Sequence, residues 1–166
     1  MAVFIHHIFI SSGHNFFGRH GQEPGAHDMI ERSDVRVVAG SGIEGDRFFN
    51  YQDDYKGQVT FFDWDVFDDA RRHFHLPNLS PSAFRRNILV SGLELPSLVG
   101  KRFMIQDILF EGTAEAAPCY WMNRVVADGA EQWLKGKGGL RARVLHSGTL
   151  RQSATPEPVT LLPHQD

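Results

Sequence analysis

The sequence predicts a mainly β domain of the α+β class, a partly closed β-barrel with a few peripheral helices. Three observations carry this. Short apolar runs rich in β-formers outnumber helical stretches. Strands and helices do not alternate as they do in parallel α/β folds. The 166 residues amount to about one domain with a proper core. Hydrophobic content of 42% and charged content of 22% are ordinary globular values. Neither an internal repeat nor a low-complexity segment interrupts the chain.

Val3 to Ile10 is apolar and reads as the first strand. Ser11 to Ala26, with Gly13, Gly18, Gly21, Pro24 and Gly25, reads as a long loop, and a loop of that length inside a compact domain is more often functional than idle. Residues 1–34 thus form an N-terminal strand and loop ahead of a core at about 35–150. Met29 to Arg32 and Val35 to Val38 are short strands joined at Ser33-Asp34. Gly40-Ser-Gly-Ile-Glu-Gly-Asp-Arg47 has the spaced glycines of a dinucleotide fingerprint. The aromatic and acidic stretch after it has no helical periodicity, so no helix N-terminus faces a pyrophosphate and that reading fails.

Gln58 to Phe62 is a strand, and Asp63 caps a helix running to about His75 with Val66, Phe67, Ala70 and Phe74 on one face. Acidic residues early and Arg71, Arg72 and His73 late suit its dipole. Ser80-Pro81 starts a short helical segment. Asn87 to Val90 is a strand, Pro96 to Gly100 a tight turn, and Arg102–Ile105 with Ile108–Glu111 a hairpin over Gln106-Asp107. Asp128 and Glu131 resemble a capping box for a helix ending at Gly136. Leu140 to His146 is the last strand, and residues 152–166, with three prolines, form an extended surface tail.

Several function classes are excluded as expectations. A single cysteine cannot form an intramolecular disulfide or a multi-cysteine metal site, and nothing asks for an oxidising compartment, so a cytoplasmic location is expected. The N-terminus lacks a basic lead-in and no run approaches membrane-spanning length, so no membrane partner is expected. A net charge of −3 argues against nucleic acid, while leaving room for a local basic pocket.

Cys119 is the candidate reactive centre. Pro118 suits the first position of a helix, and the turn starting at Cys119 would aim free N–H groups and a positive dipole end at the sulfur. That environment favours the thiolate, the form that attacks electrophiles or binds soft metals. Tyr120 and Trp121 would wall it from water. The competing reading is a small buried hydrophobe. Arg85-Arg86-Asn87 sits at a strand entry, where alternation sends at most one arginine into a pocket. It reads as an anion clamp or as a solvated pair. Arg141 and Arg143 share a face of the last strand, with an anion or protein carboxylates between them. His6, His7, His14, His20 and His27 match no compact zinc motif and read as loop histidines. Gly136-Lys-Gly-Gly139 offers N–H groups beside a lysine, as a phosphate cradle or simply a helix cap and turn.

Three segments together resemble the MOSC domain, named after the C-terminal domain of molybdenum-cofactor sulfurases. They are Gly42-Ile-Glu-Gly-Asp-Arg-Phe48, Arg86-Asn-Ile-Leu-Val-Ser-Gly-Leu93 and Cys119 downstream of the hairpin, in matching order over roughly Val35 to Leu150. The resemblance implies a strand-rich barrel of MOSC type, in a stand-alone single-domain member. It also implies molybdenum-cofactor (molybdopterin) chemistry. Cys119 would be the metal ligand or a persulfide carrier, Arg86 and Asn87 would belong to the pocket, and Asp46 and Arg47 would support it. Arg86, Arg141 and Arg143 would meet the pterin phosphate, with Arg85 beside them. Such a protein is either a molybdenum-dependent oxidoreductase acting on a small N-oxygenated substrate with an electron-donor protein, or a sulfur carrier served by a sulfur-donor protein. Pyridoxal phosphate would reside on that separate donor. Tyr55-Lys56-Gly57-Gln58 departs from the His-Gly-Gly segment of many stand-alone members, as does the long N-terminal loop.

Overall fold

The computed structural model describes residues 1–163. In chain order the elements are β1 (Ala2–Ile10), β2 (Ile30–Glu31), β3 (Asp34–Val38), β4 (Gly42–Ile43), β5 (Val59–Asp63), α1 (Trp64–His73) and β6 (Ile88–Ser91). A 3-10 turn (Leu95–Leu98) leads to β7 (Arg102–Ile105), β8 (Ile108–Glu115), α2 (Trp121–Val125), α3 (Ala130–Trp133), β9 (Leu140–His146), β10 (Gly148–Arg151), β11 (Glu157–Pro158) and β12 (Thr160–Leu162). The fold is therefore mainly β with few helices. None of the helices among the described residues is long and apolar enough to cross a membrane.

The centre of the molecule is the β5–α1–β6 unit, whose two strands pair in parallel. Both strands read as continuous apolar runs because each buries both faces. Phe61, Ile88 and Val90 enter the larger core beside Phe103 and Phe110. Their neighbours Phe62 and Leu89 point the other way, into a second cluster with Phe67 and Ala70 of α1 and Trp121 of α2. Burying each of these phenylalanines stabilises the fold by about 1.5–3 kcal/mol. Asp63 caps α1 by accepting the Asp65 N–H at 2.8 Å. The β7–β8 hairpin turns over Gln106 and Asp107 at φ 50 and 66°, the two positive φ values of a type I′ turn.

The barrel expectation is corrected. One sheet runs β11-β1-β6-β5-β9-β8-β7-β12 with β2 added to β1, and a second runs β10-β3-β4. Neither closes on itself. The two edges of the large sheet are β11 and β12, separated in the chain only by Val159, so the tail crosses from one edge to the other without a ladder joining them. Pro158 has no N–H with which to extend such a ladder. The tail thus pairs with β1 and β7 instead of lying free, and positions 164–166 of the expected tail fall outside the described residues. Ser80-Pro81 opens turns and no helix. Asp128 does not cap α3, whose N-cap is Gly129, and the Asn123 side chain accepts the Glu131 N–H instead.

Candidate functional site

A cavity of about 290 Å³ lies where the C-terminal end of β8, the start of β9 and two loops meet. Cys119, Arg47, Arg85, Arg86 and Arg141 all line it. Tyr120 and Trp121 line it with Phe16, Phe48 and Phe84, but they do not seal the sulfur from water as expected, since Cys119 is exposed.

The segment carrying Cys119, residues 116–119, belongs to neither strand nor helix. Ala116 N–H donates to the Gly139 carbonyl at 2.9 Å, and a Cβ at Gly138 would collide with the Ala116 carbonyl and the Pro118 ring. This close approach of the β9 entry fixes residues 116–118 against it. Pro118 is therefore not the first helical residue. The N-cap is Tyr120, and Cys119 precedes it, its carbonyl accepting the Met122 N–H at 3.0 Å. A five-residue helix carries little dipole. Cys119 is exposed, which removes the buried-hydrophobe reading. The charge it meets is Arg86. Burial first, then Arg141, pull the Arg86 guanidinium down to about 10, while Cys119 and Glu115 oppose the shift. Arg86 remains a cation at neutral pH.

Both arginines of the pair enter the cavity wall, against the expectation of one. Arg85 has φ 55° and precedes β6, so strand alternation does not apply to it. Its guanidinium donates to the carbonyls of His27 (2.6 Å) and Gly13 (2.8 Å) and to Ser11 Oγ (3.0 Å), gripping both ends of the N-terminal loop. Burial and then Arg47 lower it to about 10. Arg86 donates to the carbonyls of Gly138 (3.0 Å) and Ala116 (2.9 Å). Arg47 pairs with Asp46 at 3.0 Å and reaches the Arg85 carbonyl at 2.9 Å. Burial lowers its pKa, and Asp46 counters this. Arg141 stands apart: among the described residues its guanidinium has no hydrogen-bond or carboxylate partner.

Three expected site residues do not line the cavity. Asn87 is completely buried, accepting from the Thr60 N–H and hydroxyl at 3.1 Å each and donating to the Phe9 carbonyl at 3.1 Å. It ties β1, β5 and β6 together. Asp46 lies behind Arg47, where its carboxylate also accepts the N–H groups of Ser11 and Phe48. Arg143 shares the outer face of β9 with Arg141 but is drawn to Asp54 at 3.0 Å and Glu111 at 3.4 Å. Gly136–Gly139 behaves as the helix cap and turn of the alternative reading: the Lys137 N–H donates to the Leu134 carbonyl at 2.9 Å, the Gly138 N–H points to the Glu115 carboxylate at 3.5 Å, and the Lys137 ammonium lies 3.7 Å from the Trp133 ring centroid.

The N-terminal loop supplies wall residues that the sequence reading did not assign to the site: His14, Phe16, Phe17 and His20. Asn15 closes the loop through two hydrogen bonds to His27, at 2.7 and 3.0 Å. Its tip is held to the Cys119 segment by the Gly21 N–H, which donates to Tyr120 Oη at 3.0 Å, and by Phe16 stacked on Trp121 at 5.2 Å. Loop length was the available signal. Tyr55 and Gly57, in the segment that departs from His-Gly-Gly, line the cavity as well. Burial raises the Tyr55 pKa, and no hydrogen bond reaches its hydroxyl among the described residues. No cluster of three or more His, Cys, Asp or Glu able to hold a metal occurs among the described residues.

No curated protein matches the chain by sequence. Among solved structures, the YuaD protein from Bacillus subtilis superposes with a TM-score of 0.74 at 16% identity, over 99% of this chain and 98% of that one. YiiM from Escherichia coli gives 0.69 at 17%, over 99% and 71%. YiiM from Geobacillus stearothermophilus gives 0.69 at 16%, over 97% and 75%. At these identities the likeness is one of fold. A family model described as MOSC domain matches residues 45–154, more than half of the chain and the stretch that holds Arg47, Arg86, Cys119 and Arg141, and the chain accordingly belongs to the MOSC domain family.

Proposed function

We propose that the protein binds a molybdenum cofactor in this cavity, with the Cys119 thiolate as the metal's protein ligand, and supports reduction or oxo transfer on a small N-oxygenated substrate. The observation that carries this is the coincidence, in one cavity, of an open thiol and a guanidinium, that of Arg141, with no hydrogen-bond or carboxylate partner among the described residues. Membership of a family linked to the molybdenum cofactor supports it. The donor set fits the group. A pterin-bound molybdenum presents an anionic phosphate and an oxophilic, thiophilic metal, and it supplies two-electron redox chemistry when bound.

The chain's own residues would do the rest. Arg141 is free to take the phosphate, and Arg86 adds charge from the wall while its hydrogen bonds hold that wall in place. Arg85 adds further positive potential from the wall, while the charge of Arg47 is offset by Asp46. The aromatic rings of Phe16, Tyr120 and Trp121 give the cavity an apolar wall beside the exposed sulfur. An electron-donor protein completes the reaction. Near-stoichiometric molybdenum and pterin in protein purified from a cofactor-producing host, lost on Cys119→Ala, is the expected result. Unchanged metal in the variant would overturn the assignment.

The exposure of Cys119 favours a second reading, in which the thiolate carries sulfane sulfur for delivery to a partner's cofactor. It requires a sulfur-donor protein, with any pyridoxal phosphate on that donor. Intact mass separates the two: a carrier shows one added sulfur that a reducing agent removes, and a metal ligand shows none.

A further inference from the structure

His14 is left without a task by the cofactor reading. It belongs to the N-terminal loop, outside the residues 45–154 of the family match, yet it lines the cavity with Arg47 and Tyr55. Its ring is wedged among Phe48, Phe17 and Tyr51, at centroid distances of 4.9, 5.3 and 5.8 Å. Nδ1 is buried and meets no donor or acceptor among the described residues. Nε2 makes no hydrogen bond to any described residue either, and it is not among the buried orphans, so it is the accessible atom of the ring. Native structures rarely leave a ring in this state without a use for its open edge.

The protonation state follows from what faces the ring. Burial is the largest influence, followed by Arg47, and both lower the His14 pKa; Arg85 and His27 act the same way, and only Asp46 opposes them. The imidazole is neutral at pH 7. An unpaired buried N–H is the costlier arrangement at Nδ1, whereas a bare lone pair sits more easily among aromatic carbons. The proton therefore resides on Nε2, where it can be donated to a ligand.

We propose that His14 is a substrate-binding residue, whose Nε2–H donates a hydrogen bond to the oxygen of an N–O group and so distinguishes an N-oxygenated compound from its deoxygenated counterpart. The inference rests on the substrate class given above. The guanidinium charges around the ring favour an acceptor carrying partial negative charge, and the phenylalanine, tyrosine and tryptophan walls favour a flat apolar body beside it. A site built to donate to that oxygen rejects the analogue lacking it, because Nε2–H is then left unpaired.

The test compares equilibrium binding of benzohydroxamic acid and benzamide, by calorimetry, to protein as purified from a cofactor-producing host. The same titrations are run on His14→Phe, which keeps the ring packing, and on His14→Gln, which keeps a donor. About a tenfold preference for the hydroxamate is expected in the wild type, the scale of one well-made hydrogen bond. It should fall below about twofold in His14→Phe and recover in part in His14→Gln. Nitrogen-15 NMR of the imidazole at pH 7 should show the Nε2–H tautomer, shifted by the hydroxamate and not by benzamide. An equal preference in His14→Phe and wild type, a protonated ring at pH 7, or no binding of either compound would each overturn the proposal. Metal content is read on the same samples. Molybdenum present with no His14-dependent preference sinks the His14 role alone, and the preference without molybdenum sinks the cofactor reading alone.

Discussion

Asn87→Ala separates a frame residue from a ligand residue. In the wild type the amide satisfies the Thr60 N–H, the Thr60 hydroxyl and the Phe9 carbonyl, all buried between β1, β5 and β6. The Thr60 O–H loses its acceptor, but alanine keeps the backbone N–H bond to Thr60 Oγ1, so the hydroxyl oxygen retains a partner. The Thr60 N–H and the Phe9 carbonyl do not, and each buried orphan costs about 1–3 kcal/mol. The vacated space is polar and of a size for one water, which would recover part of that cost. The expected loss is therefore about 3 kcal/mol, read as a lower urea midpoint at unchanged slope by tryptophan fluorescence. The molybdenum bound per folded molecule should be unchanged. A variant within about 0.5 kcal/mol of wild type, the range of an ordinary surface change, would refute the structural role. Full stability with lost cofactor would place Asn87 on the ligand.

The arginines divide in the same way. Arg86→Met should cost about 2–3 kcal/mol, because it strips the Gly138 and Ala116 carbonyls of a charged donor. Arg141→Met should leave stability within about 0.5 kcal/mol and lower cofactor occupancy in the same purification; full occupancy would remove Arg141 from the site. His6 and His14 both have pKa values held below 6.5, burial being the largest cause for each, aided by His7 at His6 and by Arg47 at His14. The unfolded chain then binds more protons than the folded one as pH falls through 6.5, so stability should drop between pH 7.5 and 5.5. His14→Phe should shrink that drop, and an unchanged pH dependence would show that His14 titrates normally.

Much of the fold was legible because its signals are local. The apolar runs at Val59–Phe62 and Ile88–Val90, the Asp63 cap and the Gln106-Asp107 turn each declare themselves within a few residues. What was misread depends on contacts distant in sequence. Pro118 is a good helix starter taken alone, but Gly138 and Gly139 hold Ala116 and Pro118 against the β9 entry, and the helix begins only at Trp121. Alternation at Arg85-Arg86 presumed a strand that begins only at Ile88, and the left-handed Arg85 turns both side chains to one cavity. Nor does period-two patterning reveal that Asn87 is sealed by Thr60, since a buried amide and a pocket amide occupy the same register.

The charge of the cavity follows from how its arginines are satisfied. Carbonyl oxygens from the loop, the β8 end and the β9 entry accept the hydrogen bonds of Arg85 and Arg86, which meets their donor requirement but leaves their charge in place. Among the described residues, only Arg47 of the four cavity arginines has a carboxylate in direct contact, Asp46. The guanidiniums of Arg85 and Arg86 are held near 10 by burial and by one another's neighbours, still well above neutral pH. The positive potential is thus a property of the frame itself, fixed by the same hydrogen bonds that shape the walls. An anion entering beside Arg141 meets a field already organised for it, with no side chain having to leave a protein carboxylate first.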